Sequence, residues 1–166
     1  MSQDPGLNTP YAGLTPEVVL AAVESLGLLA DGRLLALNSY ENRVYRVGLE
    51  APEATDNLPA TPVVVKFYRH GRWSDAQIRE EHAFAAELAA EQLPVVAPLL
   101  FGGESLHCYA QFRFSLFECR AGHGAEIDQP GHRALLGRTL ARMHAVGARR
   151  RFLHRDAISQ WRSGAR

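Results

Sequence analysis

Residues 63–68, Val63-Val64-Val65-Lys66-Phe67-Tyr68, decide the fold, because they read as a buried β-strand that carries a single charge. An ammonium group among apolar neighbours is costly unless an anion meets it. Lys66 is also the one lysine among 18 basic residues, the other 17 being arginine. Lysine offers a compact charge on a slim stem, whereas arginine offers a wide planar fork. The pattern predicts that Lys66 meets either a carboxylate or the phosphate of a ligand.

Helix and strand patterns lie on both sides of this strand. Thr15-Pro16-Glu17 predicts the start of a helix that Gly27 ends. Residues 33–48 predict a hairpin with a polar turn at 38–42. The capping box at 74–77 starts a helix that runs to about residue 92. The later segments are predicted as strands at 94–101 and 111–117 and a helix at 131–147.

The order of these elements predicts an α+β fold. A five-stranded antiparallel sheet with one helix across it accounts for most of the chain. The βαβ crossovers that a doubly wound parallel sheet requires are absent from the sequence pattern. An antiparallel sheet is therefore expected.

Two neighbouring glutamates on the second helix are candidate partners for the buried ammonium. Glu81 shares a helix face with Phe84 and Leu88, at spacings of three and seven residues. We therefore expect Glu81 to point inward and Glu80 to face solvent. A Lys66–Glu81 ion pair would hold the ammonium toward the α- and β-phosphates of a nucleotide.

The polar turn at 38–42 lies where a phosphate-covering loop would be expected. It lacks a GxGxxG motif, so cradling of phosphate by the backbone does not follow from the sequence. Ser39 and Asn42 can instead donate hydrogen bonds to phosphate oxygens. Serine and asparagine are also ordinary turn residues, so this signal depends on the Lys66 strand that follows.

Composition and charge narrow the range of functions. With 166 residues, 46% hydrophobic and 22% charged, the chain is a globular protein and neither collagen-like nor wholly disordered. It carries 17 acidic and 9 basic residues up to Asp128, and 1 acidic and 9 basic residues from there on. With zero net charge, the basic segment is interpreted as a solvated face or a surface for an acidic partner, not a nucleic-acid site.

The sequence also predicts a cytoplasmic protein. The longest apolar run, 94–101, is too short to span a membrane, and the N-terminus has no basic and apolar signal pattern. Cys108 and Cys119 are expected to stay reduced. We expect neither nucleic acid nor membrane as a partner.

Three runs together resemble a known family: LNSYENRVYRV (37–47), VVVKFYRHGRWSDAQIREEHAFAAEL (63–88) and LGRTLARMHAVG (136–147). They are similar to the bacterial stress-response serine/threonine kinases of the aminoglycoside-phosphotransferase-like branch, and the resemblance extends over about residues 15–159. It implies that Lys66 is the nucleotide-phosphate lysine, Glu81 its helix partner and Ser39 a phosphate-loop contact. The implied hinge, whose backbone would meet adenine, consists of Phe117, Glu118 and Cys119.

The resemblance implies a protein-kinase-like N-lobe with an extra N-terminal helix, followed by the first helix of a truncated C-lobe. The expected divisions are a disordered leader at 1–13, the nucleotide-binding lobe at 14–120, and a linker with the incomplete C-lobe at 121–166. ATP and Mg²⁺ are the implied cofactors. The family's HGDxHxxN-like loop and later metal-binding Asp are absent from this sequence, so we expect the chain alone to be inactive. The triplet 154–156, His-Arg-Asp, is not taken as a catalytic loop, because Trp161 stands where Asn is needed.

Three functions remain open. The leading one is ATP-dependent phosphorylation of protein Ser/Thr in a stress response. The second is phosphorylation of a small alcohol resembling an aminoglycoside or choline, and the third is a non-catalytic nucleotide-binding or partner-binding module. An apolar stripe of Leu135, Leu140 and Met143 is expected to be exposed, and to meet either the missing lobe or a second copy.

Overall fold

The computed structural model describes residues 10–50, 62–122, 124, 126, 128–129 and 131–156. The strands form one antiparallel sheet in the order β1-β2-β3-β5-β4, so β3 and its Lys66 lie at the centre. This confirms the predicted five-stranded sheet. The elements are α1 (Pro16–Glu24), β1 (Ala30–Leu37), β2 (Arg43–Leu49), β3 (Val63–Phe67), α2 (Asp75–Ala90), β4 (His107–Tyr109), β5 (Phe112–Glu118) and α3 (His132–Gly147).

The sheet and α1 form one compact unit. Thr15 caps α1, accepting a hydrogen bond from the Val18 amide at 3.4 Å, and Pro16 occupies the first turn, as predicted. Along β3 the side chains alternate, with 63, 65 and 67 fully buried and 64 and 66 only partly so. The buried set of the unit is Val19, Ala22, Val23, Leu28, Val47, Leu49, Val63, Val65, Phe67, Phe114 and Leu116.

This core explains why one face of the sheet is closed. Each of its valines and leucines contributes about 1.5–3 kcal/mol when fully buried. Because α1 covers the face of residues 63, 65 and 67, Lys66 is placed on the opposite face.

The predicted strand at 94–101 is wrong. The segment makes two isolated bridges, Pro98 with Phe117 and Phe101 with Glu104, and the Leu99 amide donates to the Leu116 carbonyl at 2.8 Å. Pro94 and Pro98 have no N–H to donate, so a continuous ladder cannot form there. The fifth strand is instead β4, whose three residues are too few for a strand pattern in the sequence.

The helices α2 and α3, with the residues after them, form the second compact unit. Leu88, Leu93 and Val146 make a small buried cluster, and Phe84 and Met143 pack against it. Ion pairs join Glu87 to Arg150 at 2.8 Å and Glu91 to Arg149. These contacts tie the end of α3 to the C-terminal half of α2.

The predicted apolar stripe on α3 is confirmed in part. Leu135 and Leu140 are 55% and 52% exposed, whereas Met143 belongs to the small cluster. Self-association through this stripe stays a prediction. Among the described residues, no helix has both the length and the apolar character that a membrane span requires.

The predicted leader at 1–13 lies largely outside the described residues. Its last four residues, 10–13, form a turn in which Tyr11 packs against the core, so disorder does not extend to them. The predicted boundary at 120 stays a prediction.

His107 on β4 lies among aromatic rings. Its ring centroid lies 6.0 Å from that of Phe101 and 5.6 Å from that of Phe114. Its Nε2 is buried and makes no hydrogen bond to any described residue. Desolvation lowers the pKa of His107, and a hydrogen bond and the charge of Glu104 offset this only partly.

This environment predicts an acid-sensitive contribution to stability. Because the folded pKa of His107 is lowered, the unfolded chain takes up the proton first, and the free energy of unfolding falls as the pH drops below the ordinary histidine pKa. In His107→Phe the aromatic packing is kept and the proton site is lost. Between about pH 7.5 and about pH 5.5, we expect the free energy of unfolding measured with denaturant to fall less for the variant than for wild type. Equal losses in both proteins would contradict this assignment.

Candidate functional site

Lys66 lies on the central strand, on the face of the sheet opposite the α1 core, and is half-buried. In register it stands opposite Val44 on β2 and Ser115 on β5. Residues two apart share a face, so Val64 and Tyr68 lie on the same side as Lys66. The Lys66 ammonium lies 4.9 Å from the centroid of the buried Tyr68 ring, within the range of a cation–π interaction.

Apolar side chains extend this face on the first two strands. Leu37 pairs with Val44, and Leu35 pairs with Arg46, which stands opposite Val64. Leu35 and Leu37 are 55% and 36% exposed. Leu35, Leu37, Val44 and Val64 form a partly exposed apolar strip beside the ammonium, with Arg46 between Leu35 and Val64. The sequence analysis missed these residues, because only the strand register shows that they share the Lys66 face.

The predicted hinge, 117–119, lies beside the start of β3, whereas Lys66 lies near the end of that strand. Phe117 pairs with Val64 and therefore shares the face of Lys66, about 7 Å along the strand. Glu118 pairs with Val63, is exposed and forms an ion pair with Arg120. Cys119 follows the strand as a half-buried free thiol. The backbone of 117–119 is thus close to the apolar strip.

The loop at 38–42 begins at the Lys66 end of the face, because Leu37 and Val44 pair in register with Lys66. Ser39 is exposed on this loop. The Asn42 side-chain oxygen accepts a hydrogen bond from the Arg69 amide at 3.4 Å, so this group serves to hold the loop. The Glu41 carboxylate lies 3.7 Å from Arg69 and 3.4 Å from Arg72. The base of the loop is therefore held by contacts at 41 and 42, and Ser39 lies outside the held part.

Ser115 is a polar group that the sequence analysis did not single out. It is fully buried directly opposite Lys66, and its hydroxyl makes no hydrogen bond to any described residue. A serine inside an aromatic strand was the only sequence signal available.

The two glutamates of α2 differ from the prediction. Glu80, expected to face solvent, is only 8% exposed. Its carboxylate accepts hydrogen bonds from the amides of Leu153, His154 and Arg155 at 2.5, 2.9 and 2.8 Å. Desolvation raises the pKa of Glu80, but the three amides outweigh it and the pKa is lowered overall. The expectation was wrong because helix periodicity carries no information about a segment more than 70 residues later.

Glu81 is half-buried and forms an ion pair with the Arg155 guanidinium. Arg155 also donates to the Gln77 carbonyl at 3.0 Å, and Gln77 donates to the His154 carbonyl at 2.9 Å. The segment 153–155 is thus fastened to the first half of α2. These contacts give His154 and Arg155 a structural role.

No cluster of three or more His, Cys, Asp or Glu side chains able to hold a metal occurs in the part of the chain that the structure describes. Cys108 is exposed and Cys119 half-buried, and that they stay reduced remains a prediction.

Comparison with known proteins identifies the family. Residues 33–164 match the Phosphotransferase enzyme family. The chain belongs to this family. Phosphotransferase relatives include the serine/threonine protein kinase RdoA of Salmonella typhimurium, 40% identical, and stress response kinase A of Escherichia coli K12, 39% identical. Each alignment covers 89% of this chain and 43% of the relative, so the chain spans less than half the length of these proteins.

A solved structure confirms the fold of this chain. Amicoumacin kinase hAmiN, solved in complex with AMP-PNP, Ca²⁺ and Ami, superposes with a TM-score of 0.63. The match covers 81% of this chain and 41% of the kinase, at 19% identity. The predicted kinase-like α+β fold is therefore confirmed.

The buried Ser115 hydroxyl predicts a stabilising substitution. Ser115→Ala removes an unsatisfied buried group, so we expect the free energy of unfolding to rise by up to about 1 kcal/mol. Ser25→Ala is the matched control, since the Ser25 hydroxyl donates to the Ala22 carbonyl at 2.7 Å and its loss should destabilise by about 1 kcal/mol. Urea unfolding measures both. A loss of stability in Ser115→Ala would show that the hydroxyl has a partner.

The Glu80 contacts predict local release of the segment 153–155. Glu80→Gln replaces one acceptor oxygen with an NH₂ group, so the three amides lose part of their hydrogen bonding. Hydrogen exchange at 153–155 should become faster. Glu87→Gln, which removes an exposed ion pair to Arg150, should leave that exchange unchanged. Equal exchange in wild type and Glu80→Gln would contradict the structure here.

Proposed function

We propose that this chain is the ATP-binding part of a kinase. The observation that carries the proposal is the single face of the sheet on which Lys66, the apolar strip and Phe117 lie in register. In this proposal the Lys66 ammonium binds the α- and β-phosphates, and the Ser39 hydroxyl donates to a phosphate oxygen. Leu35, Val44 and Val64 would pack against adenine, and the backbone of 117–119 would hydrogen-bond its edge.

Glu81 is the proposed carboxylate partner of Lys66. The Glu80 carboxylate is occupied by three backbone amides, which supports assigning this role to its neighbour. The Glu81 ion pair with Arg155 fixes one side of the carboxylate, and a carboxylate has acceptor positions for a second cation. Asn42 is retained as a phosphate contact through its NH₂ group, because its oxygen is turned toward the Arg69 amide.

The proposed reaction is phosphoryl transfer from ATP to protein Ser/Thr in a stress response. The relatives at 39–40% identity are named serine/threonine protein kinase and stress response kinase, which supports this class. Mg²⁺ would accompany ATP and neutralise phosphate charge. No residue of this chain is assigned to the metal or to the transfer step. We also retain the cytoplasmic location as a prediction.

A second candidate is a small-molecule kinase. The superposition on amicoumacin kinase supports it, since that fold also serves a kinase named for a small molecule. A panel of protein and small-alcohol acceptors, tested with a protein of the relatives' full length, separates the two candidates. A non-catalytic nucleotide-binding module is the third candidate, and it would bind ATP without turning it over.

Substitution of Lys66 tests the nucleotide proposal on this chain. Lys66→Met should weaken Mg·ATP binding at least about tenfold, because a charge-assisted contact to phosphate is lost. Lys66→Arg should also weaken binding, since the planar fork does not fit a site built for a slim stem. Isothermal titration calorimetry measures the dissociation constants.

Arg79→Met is the control, because Arg79 is an exposed residue on α2 paired with Asp75 at 3.7 Å. Its ATP affinity should equal that of wild type. If Lys66→Met binds ATP as tightly as wild type, the phosphate role of Lys66 is wrong.

A further inference from the structure

Tyr11 lies before residue 33, where the family match begins, yet it reaches the candidate site. Its hydroxyl donates to the Glu41 carbonyl at 2.9 Å, and the Phe67 carbonyl lies 3.4 Å from the same hydroxyl. Glu41 belongs to the loop at 38–42 that carries Ser39. Phe67 follows Lys66 directly. The single hydroxyl proton goes to the nearer Glu41 carbonyl, and the Phe67 carbonyl is a close neighbour, so the hydroxyl lies between the two pieces of backbone that hold the proposed phosphate contacts.

The backbone of Tyr11 is held in an unfavourable conformation. Its φ is 72°, in the left-handed region that a bulky L-residue rarely adopts. Such conformations persist only where surrounding contacts impose them, and they concentrate at functional positions. Two hydrogen bonds hold this segment: the Tyr11 carbonyl accepts from the Leu14 amide at 3.0 Å, and the Ala12 carbonyl accepts from Gln111 at 3.4 Å.

The ring of Tyr11 is held as well as its hydroxyl. The Arg43 guanidinium stacks over it at 4.9 Å from the ring centroid, and the ring packs on the edge of the core. Burial raises the pKa of Tyr11, with Arg43 and Arg69 partly offsetting it, so the hydroxyl stays a proton donor. Because the backbone and the ring of Tyr11 are both held, its hydroxyl can hold the loop in place.

The rest of the loop base uses different anchors. Glu41 interacts with Arg69 and Arg72 through its carboxylate, and Asn42 accepts from the Arg69 amide. These tie the loop to the chain after β3. Only the Tyr11 hydroxyl, among the contacts described, reaches both this loop and β3 from outside the hairpin. Beyond the anchors, Tyr40 is fully exposed at the loop tip.

We propose that Tyr11 is a positioning residue that sets the phosphate loop against β3, so that the segment before α1 controls affinity for the phosphate groups of the nucleotide. This rests on the proposed function, in which Ser39 and Lys66 contact phosphate. Loss of the hydroxyl releases the loop without removing any ligand contact. Affinity for the triphosphate therefore falls, and affinity for the base and sugar does not.

The test is Tyr11→Phe in the full chain, with binding of Mg·ATP and of adenosine measured by calorimetry. The variant keeps the ring and its stacking under Arg43. We expect ATP affinity to fall roughly fivefold to tenfold, as for loss of one ordering hydrogen bond, and adenosine affinity to change less than about twofold. Tyr109→Phe, which removes a phenol hydroxyl on the opposite edge strand, should change neither affinity.

Hydrogen exchange of the loop amides at 38–42 gives a second readout that does not depend on nucleotide binding. Exchange should become faster in Tyr11→Phe and stay unchanged in Tyr109→Phe. Unchanged exchange, unchanged ATP affinity, or an equal loss of ATP and adenosine affinity would each overturn the positioning role. If the wild-type chain binds neither ligand while loop exchange rises in Tyr11→Phe, the proposed function fails, and with it the phosphate part of this inference, but the structural link between Tyr11 and the loop stands.

Discussion

One ammonium group on the central strand constrains the whole of the sheet unit. Lys66 is placed by the alternation of side chains along β3, in which Val63, Val65 and Phe67 are buried on the face that α1 covers, so the charge lies on the opposite face. Burying a charge costs free energy that nearby groups must offset. The Tyr68 ring supplies part of this through its π-face. The buried Ser115 hydroxyl opposite Lys66 shows that polarity continues across this side of the sheet.

The polar contacts around the proposed site hold backbone segments in place. Around the loop at 38–42, the Tyr11 hydroxyl donates to the Glu41 carbonyl, and the Asn42 side-chain oxygen accepts from the Arg69 amide. The Glu41 carboxylate interacts with Arg69 and Arg72. In the helical unit, the Glu80 carboxylate accepts hydrogen bonds from three backbone amides, and Glu81 forms an ion pair with Arg155. Both arrangements are preorganised, since the side chains are set by the fold rather than by a ligand. Ser39 is exposed on this loop, whose base is held by the contacts at 41 and 42.

The sequence predicted elements whose signals are local. The N-cap of α1, the hairpin, the Lys66 strand and both long helices follow from spacing and turn chemistry, and they are confirmed. The predicted end of α1 at Gly27 is wrong, since the helix ends at Glu24 with Ser25 as its C-cap. The strand at 94–101 failed because two prolines interrupt its donors, and β4 was too short to predict. The burial of Glu80 and the hydrogen bond made by Tyr11 could not be predicted, because each depends on a partner at least 30 residues away in the chain. The apolar strip needed the strand register for the same reason.

The central claim is that the Lys66 ammonium binds nucleotide phosphate, and the sequence makes it directly measurable. Because Lys66 is the one lysine of the chain, lysine labelled at its side chain gives a single NMR signal that needs no assignment. Titration with Mg·ATP should shift this signal with saturation, whereas adenosine, which has no phosphate, should leave it close to its starting position. A signal that does not move at saturating ATP would contradict the account.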